Sequence, residues 1–276
     1  MSVPLMLRRQ VLRAFSPLTR KPQTFHKPRS LHSMPVISLT EEGVPGLFSE
    51  KAFKTAWTDY QNHLVEKLSA LTAGTGFDGM DAMDIAIATA RQPDQASIFN
   101  YASQAYNNHF FFQSLQSTQT GPERATPQFQ SYVTSSFTDV AALKAELFAT
   151  ANAMFGNGYV WLVLDQAGVL RILCTYNAGT PYGASYRRQD TDMNTGLKLG
   201  SELSPYTSAV RHAAKGKTGG WVIPVLNVNV WEHSWLEDFG ILGKDDYLRA
   251  WWDRIDWLVV QSRFPTKGVA RTPLIK

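Results

Sequence analysis

The stretch Asn227-Val228-Asn229-Val230-Trp231-Glu232-His233 decides how the rest of the chain is read. It places a carboxamide at 229 and an imidazole at 233, four residues apart, just after a run that reads as a strand over 221–228. Two donors at such a spacing have the outline of a metal-binding pair. The pair is unequal, because a neutral amide donates far less charge to a hard cation than a carboxylate does. An imidazole is a common metal ligand and an amide a poor one, so the remainder of the chain must decide what this pair does.

The chain has 276 residues, 44% of them apolar and 12% aromatic. That suffices for one large core or two modest ones and excludes a disordered chain. No stretch approaches the roughly 18 uncharged apolar residues of a membrane span. The single Cys174 excludes an internal disulfide and fits a reducing compartment; it reads as a small buried apolar residue on a strand.

The formal charge of +4 changes meaning once it is divided. Residues 1–40 carry Arg8, Arg9, Arg13, Arg20, Lys21, Lys27 and Arg29 and no acid. Without those seven, 20 basic residues face 23 acidic ones, a net charge of −3. Met6, Leu7, Val11, Leu12 and Phe15 form an apolar stripe beside the arginines. An Arg-rich, acid-free, amphipathic start is the pattern of a mitochondrial transit peptide, here residues 1–31. Arg29-Ser30-Leu31 fits cleavage after Leu31 by a matrix protease. The competing reading is a basic arm that binds nucleic acid. A body of net −3 argues against coating RNA with the whole surface, since phosphate binding draws its affinity from Lys and Arg.

Phe53, Ala56, Trp57, Tyr60, Leu64, Leu68 and Leu71 recur at helical spacing and predict a first helix over 49–72, with Ser49 as its cap. A short helix over 81–90 and a second long helix over 95–117 complete a helical hairpin, residues 45–120. Gly121, Pro122 and Pro127 mark a linker. The next unit, residues 136–265, has a helix over 138–155, strands over 159–164, 169–175 and 221–228, and one aromatic-rich helix over 245–264. A long polar insertion occupies 176–220, and a basic tail occupies 266–276. Helices first and a small antiparallel sheet afterwards make the fold class α+β. Trp221, Trp231, Trp235, Trp251, Trp252 and Trp257 read as core rather than as base-stacking platforms.

Three further motifs carry a family resemblance. They are the run from Ile98 through Tyr106-Asn107-Asn108-His109 to Phe110-Phe111-Phe112, the turn-strand Gly156-Asn157-Gly158-Tyr159-Val160-Trp161-Leu162, and Trp231-Glu232-His233 followed by Tyr247, Leu248, Trp252 and Trp257. In this order they resemble the iron/manganese superoxide dismutases over about residues 45–265. The resemblance implies that fold: an N-terminal helical hairpin and a C-terminal α/β domain with a three-stranded antiparallel sheet. It also implies a cage of three His and one Asp around the metal. On the matching positions stand Ala52, Asn108, Asn229 and His233, with Ala56 replacing a further His. His109 lies one residue, about 100°, away from the ligand position. Phe155 takes the place of an outer-sphere Gln, while Gln104 matches the Gln of the iron subgroup. One imidazole cannot fix the geometry or tune the potential of a redox metal. The reading is therefore no catalytic residue, no cofactor and no metal; its opponent has His63 or His109 rebuilding the cage.

Gly43-Val44-Pro45-Gly46-Leu47, Ala56-Trp57-Thr58-Asp59-Tyr60-Gln61 and Asn107-Asn108-His109-Phe110-Phe111-Phe112 narrow the resemblance. They are similar to the dismutase-like proteins of the fungal mitochondrial small ribosomal subunit, in the branch with the Asn-Asn-His-Phe-Phe-Phe motif. That implies a non-enzymatic structural subunit supporting mitochondrial translation, paired with a paralogue as a heterodimer. Glu232 and His233 are then the expected dimer contact. Arg187, Arg188, Arg211, Lys215 and Lys217 of the insertion, and Lys267, Arg271 and Lys276 of the tail, are candidate ribosome contacts, some of them to rRNA phosphates. Two alternatives stay open: an active matrix dismutase with a divergent site, and a free scaffold outside the ribosome.

Overall fold

The computed structural model describes residues 32–119, 121–122, 125–165, 167–182 and 222–265. The expected leader, nearly all of the insertion, Trp221 and the tail lie outside the described residues. So do all eight candidate ribosome contacts, Arg187, Arg188, Arg211, Lys215, Lys217, Lys267, Arg271 and Lys276.

The first helical segment forms where the apolar spacing puts it, in three pieces: α1 (Glu50–Phe53), a π turn (Lys54–Asp59) and α2 (Tyr60–Thr72). Ser49 caps it, its hydroxyl accepting the Ala52 N–H at 3.2 Å. The wide π turn is a local insertion in the helical ladder of the kind found near functional sites. After α3 (Ala82–Thr89), α4 (Ala96–Gln113) crosses back against both α2 and α3, closing the hairpin.

The second unit opens with α5 (Pro127–Phe137), an element absent from the sequence reading, whose first two residues fall in the expected linker. Phe129, Tyr132, Val133 and Phe137 face the core at helical spacing, a period that the sequence reading passed over. Its start was also written locally: the Thr126 hydroxyl caps the Phe129 N–H, and Pro127 occupies the first turn, where a missing N–H costs nothing. Next come α6 (Val140–Ala153) and the strands β1 (Gly158–Leu164), β2 (Leu170–Tyr176) and β3 (Ile223–Asn229). The sheet is antiparallel in the order β2-β1-β3, with Tyr159 opposite both Thr175 and Asn229.

Every residue of β1 is buried, because its two faces enter different cores. Val160, Leu162 and Leu164 join the main core, which also takes in Phe53, Trp57 and Phe112 of the hairpin, while Tyr159, Trp161 and Val163 pack with Phe110 of α4. The alternation of period two thus fastens the sheet to the hairpin.

The single final helix expected over 245–264 is instead α8 (Lys244–Asp253) and α9 (Trp257–Ser262), preceded by the short α7 (Leu236–Phe239). No Gly or Pro marks the break. It is imposed by tertiary pairing: Ile255 bridges Leu115, the Asp256 N–H donates to the Ser114 carbonyl at 2.8 Å, and the Gln116 N–H to the Arg254 carbonyl at 3.0 Å. The Asp256 carboxylate then restarts the helix by accepting the Leu258 and Val259 N–H groups. Trp235, Trp251, Trp252 and Trp257 are buried and Trp231 is half-buried, as core packing requires. Cys174 sits on β2, partly buried, and burial raises its thiol pKa.

Candidate functional site: an amide cluster in the expected metal cage

Four elements converge where the family resemblance puts a cage. The α1 helix and the π turn pack on the 232–234 turn that follows β3, and α4 packs along β3. Of the four matching positions, Ala52, Asn108 and Asn229 are 2%, 0% and 0% exposed, and His233 is half-buried.

Asn108 and Asn229 are joined to each other. The Asn229 amide N–H donates to Asn108 Oδ1 at 3.4 Å. Asn108 in turn donates to Gln61 Oε1 at 3.0 Å and to the Ala56 carbonyl at 3.2 Å, inside the π turn. Gln61 donates onward to the Ala105 carbonyl at 2.9 Å. Asn229 Oδ1 is taken by the Trp231 N–H at 2.9 Å, and the Asn229 carbonyl by the Tyr247 hydroxyl at 2.8 Å. A ligand needs a free lone pair aimed at the metal. Here each side-chain oxygen already accepts an N–H, that of Gln61 from Asn108, that of Asn108 from Asn229 and that of Asn229 from the Trp231 backbone, while Ala52 offers only a methyl group.

His233 Nε2 is buried without a hydrogen-bond partner among the described residues, and its ring lies 4.4 Å from the Tyr60 ring and 5.5 Å from that of Trp231. Burial alone pulls its pKa down to about 4, so the ring is neutral at physiological pH. Tyr60, also buried, is pushed up to about 12 and stays protonated. Burial likewise raises Tyr159 and Tyr247 well above the usual phenol range. The hollow is a neutral, low-dielectric place with no compensating charge.

Neither remaining His rebuilds the cage. His63 is exposed on α2, its ring 6.1 Å from that of Tyr101. His109 packs 6.1 Å from the Trp57 ring, about 100° around α4 from Asn108. Among the described residues, no group of three or more His, Cys, Asp or Glu could hold a metal ion. The residues present do not fit iron or manganese.

Gln104 is buried and links the Tyr159 hydroxyl to the Asn177 carbonyl, at 3.0 and 3.1 Å. Phe155, aligned with an outer-sphere Gln, is 94% exposed and takes no part in the hollow. Glu232 is exposed, its N–H held by Asn157 Oδ1 at 3.2 Å; its carboxylate has no partner among the described residues. Sequence reasoning missed Gln61, Asn107 and Asn227. Asn227 donates to the Asn107 carbonyl at 3.2 Å, and Asn107 to the Gly179 carbonyl at 2.9 Å. The signal for Gln61 was present: it is a polar residue on the stripe of Trp57, Leu64 and Leu68, where burial demands a partner.

Known proteins resemble this chain over most of its length. The family described as "Iron/manganese superoxide dismutases, C-terminal domain" matches residues 125–189 and 202–263. The "Small ribosomal subunit protein mS43" of Schizosaccharomyces pombe is 31% identical over 84% of this chain and 84% of its own. The "Small ribosomal subunit protein mS42" of the same organism is 30% identical over 66% of this chain and 72% of its own. The iron superoxide dismutase of Legionella pneumophila is 26% identical over 82% of this chain and 94% of its own. A hairpin and three-stranded sheet matching the dismutase model, and a sequence nearer to the ribosomal proteins than to that enzyme, identify the lineage: the chain belongs to the iron/manganese superoxide dismutase-like family of the mitochondrial small-subunit ribosomal proteins mS43 and mS42.

Proposed function

We propose that the chain is a non-catalytic structural constituent of the mitochondrial small ribosomal subunit, bound to the ribosome in the matrix and supporting mitochondrial translation. The observation that carries this reading is the Gln61–Asn108–Asn229 chain of hydrogen bonds, which uses the polar atoms of the old cage to hold α2, α4 and β3 together. A site so arranged stabilises a scaffold. It supplies no charge to a cation and no open position to a substrate.

Gradient sedimentation of mitochondrial lysate tests the reading. The protein is expected in the small-subunit fractions, and a peak at the top of the gradient would favour a free scaffold. Stoichiometric iron or manganese in the purified protein, with scavenging activity that follows it, would favour a divergent enzyme.

The partner in this reading is a paralogous dismutase-like subunit, since two differently named ribosomal relatives match the same chain. Glu232 supports it: an exposed carboxylate beside a buried, half-satisfied imidazole is free to meet a second chain. Glu232→Ala is expected to reduce co-purification of the paralogue several-fold, the usual loss for an interfacial charge (about 1 kcal/mol). Unchanged recovery would remove Glu232 from the interface.

A further inference from the structure

The chain turns outward between α7 and α8. There the Gly243 N–H donates to the Gly240 carbonyl at 3.1 Å, closing a four-residue turn with Ile241 and Leu242 at its two central positions. Turn centres ordinarily take Pro, Gly, Asn, Asp or Ser, which fix φ or hydrogen-bond locally. Ile and Leu do neither. Burial does not explain them, since Ile241 is 70% exposed and Leu242 94%. Phe155, also 94% exposed, belongs to the same face. The Lys244 ammonium donates to the Met154 carbonyl at 3.2 Å, and the Asn152 amide donates to the Asp245 carboxylate. These two bonds tie the end of α6 to the start of α8. Phe155 follows Met154 directly, and Leu242 precedes Lys244 by two residues. Single exposed apolar residues are ordinary. Three large ones gathered around one tie approach roughly the few hundred Å² at which a patch marks an interaction site.

The backbone beneath the tip is fixed. The Gly240 N–H donates to the Leu236 carbonyl at 3.0 Å, the Phe239 ring lies 5.7 Å from that of the buried Tyr247, and a Cβ on Gly243 would collide with the Phe239 carbonyl. A tip held in this way has little entropy to lose on binding. The charge around it is mostly of one sign. Glu237 and Asp238 precede the turn, and Asp245 and Asp246 follow it. Glu232 adjoins the turn after Phe155, its N–H held by Asn157 Oδ1 at 3.2 Å. Lys51 pairs with Glu237, and Arg249 with Asp246. Lys244, the one Lys or Arg between 232 and 246, is turned back onto the Met154 carbonyl. Glu232, Asp238 and Asp245 form no ion pair with Lys or Arg among the described residues.

We propose that Phe155, Ile241 and Leu242 form a docking surface for a protein segment that carries Lys or Arg beside apolar side chains. Charge selects among the occupants. Two copies of this face would set carboxylate against carboxylate, and RNA would bring phosphates up to the same groups. A basic protein segment gains steering from the acidic rim and burial from the apolar tip. The proposal goes beyond the ribosomal reading and the Glu232 contact, and either can fail with this surface intact.

The test replaces Leu242 with the photo-crosslinker benzoylphenylalanine in the full chain, irradiates cells that express it, and identifies the cross-linked peptide by mass spectrometry. The expected product is a Lys- or Arg-bearing segment of another protein. A synthetic peptide of that segment is then titrated against the purified full chain by fluorescence anisotropy. Leu242→Ser and Phe155→Ser should each weaken its binding about tenfold. Asp245→Asn, which keeps the oxygen that Asn152 uses, should weaken it about threefold at low salt and less at high salt. All three variants should melt as wild type does, because the changes are at the surface. A cross-link to RNA, to a second copy of this chain or to a segment without basic residues overturns the proposal, and so does the absence of any cross-link. Peptide binding that both serine variants leave unchanged overturns it as well. A lowered melting temperature in the serine variants would show that these side chains pack within the chain itself, and would also overturn it.

Discussion

Replacing Asn229 with Asp returns to the hollow the single charge that the family resemblance says it lost. The expected result is damage without metal binding. Asn229 is fully buried; its N–H donates to Asn108 Oδ1 and its Oδ1 accepts from the Trp231 N–H. A carboxylate keeps the second bond and sets an oxygen against Asn108 Oδ1. With Ala52 and Asn108 unchanged, no neighbouring donor set repays its desolvation. The folded-state pKa of the new acid would rise above the ordinary value of about 3.9. The variant should then be near wild type only below that ordinary value. Its penalty should grow as pH rises through the raised pKa, reaching about 3 kcal/mol at neutral pH. Urea unfolding of Asn229→Asp at pH 4 and pH 7, with metal analysis, checks this; recovery of a stoichiometric metal would show that the amides alone had blocked the cage.

His233 gives the opposite dependence. Its pKa falls to about 4 in the fold from an ordinary 6.5, so the unfolded chain binds the proton more readily. The stability contributed by the neutral ring is present above pH 6.5 and is lost as pH falls toward 4, by at most about 3 kcal/mol. His233→Gln should flatten that part of the stability profile, and a profile unchanged from wild type would mean that the ring is solvated. At this scale the sequence was legible wherever a residue type departed from a motif: Ala52, Asn108 and Asn229 stand out as substitutions. It marked Gln61 only as a polar residue on an apolar stripe and was silent on the bonds of Gln61 and Asn107 to backbone carbonyls 44 and 72 residues away. No local pattern encodes such bonds.

Among the elements, what could be read was whatever had a period or an unbroken apolar run. The two long helices of the hairpin follow from apolar spacing, and β1 and β3 from short continuous apolar runs, since both faces of each are buried. Elements shaped by contact with a distant segment were not readable. The α8–α9 break is the clearest case: Leu115, 140 residues before Ile255, pairs with it, and the chain resumes helix only through the Asp256 carboxylate. Asp256→Ala should therefore uncap α9 at a cost of about 1 kcal/mol, lowering the melting temperature by roughly 2–4 °C. Asp256→Asn, which keeps an accepting oxygen, should recover most of the loss in a thermal melt. Equal losses in the two variants would assign the effect to charge instead. The α7 helix and the π turn belong to the same class, since four- and six-residue elements have no period to show.

Across the whole molecule the charge is segregated. The described residues carry 10 Lys and Arg against 19 Asp and Glu, a net −9 for a chain whose total is +4. The positive excess lies in residues 1–31, 176–220 and 266–276. An acidic body repels phosphate, so any direct contact with rRNA has to come from those basic segments, while the body suits protein neighbours. The tail 266–276 offers Lys267, Arg271 and Lys276 with no acid, enough for two or three phosphate contacts. Each such contact steepens the salt dependence of binding by a slope of about 0.7–0.9. Deleting residues 267–276 should leave the melting temperature unchanged and loosen the protein from the small subunit. The loss should be largest in gradients run at about 0.3 M salt, where the remaining contacts are most screened. Equal retention of both forms at low and high salt would place the attachment in protein–protein contacts of the acidic body and relieve the tail of any docking role.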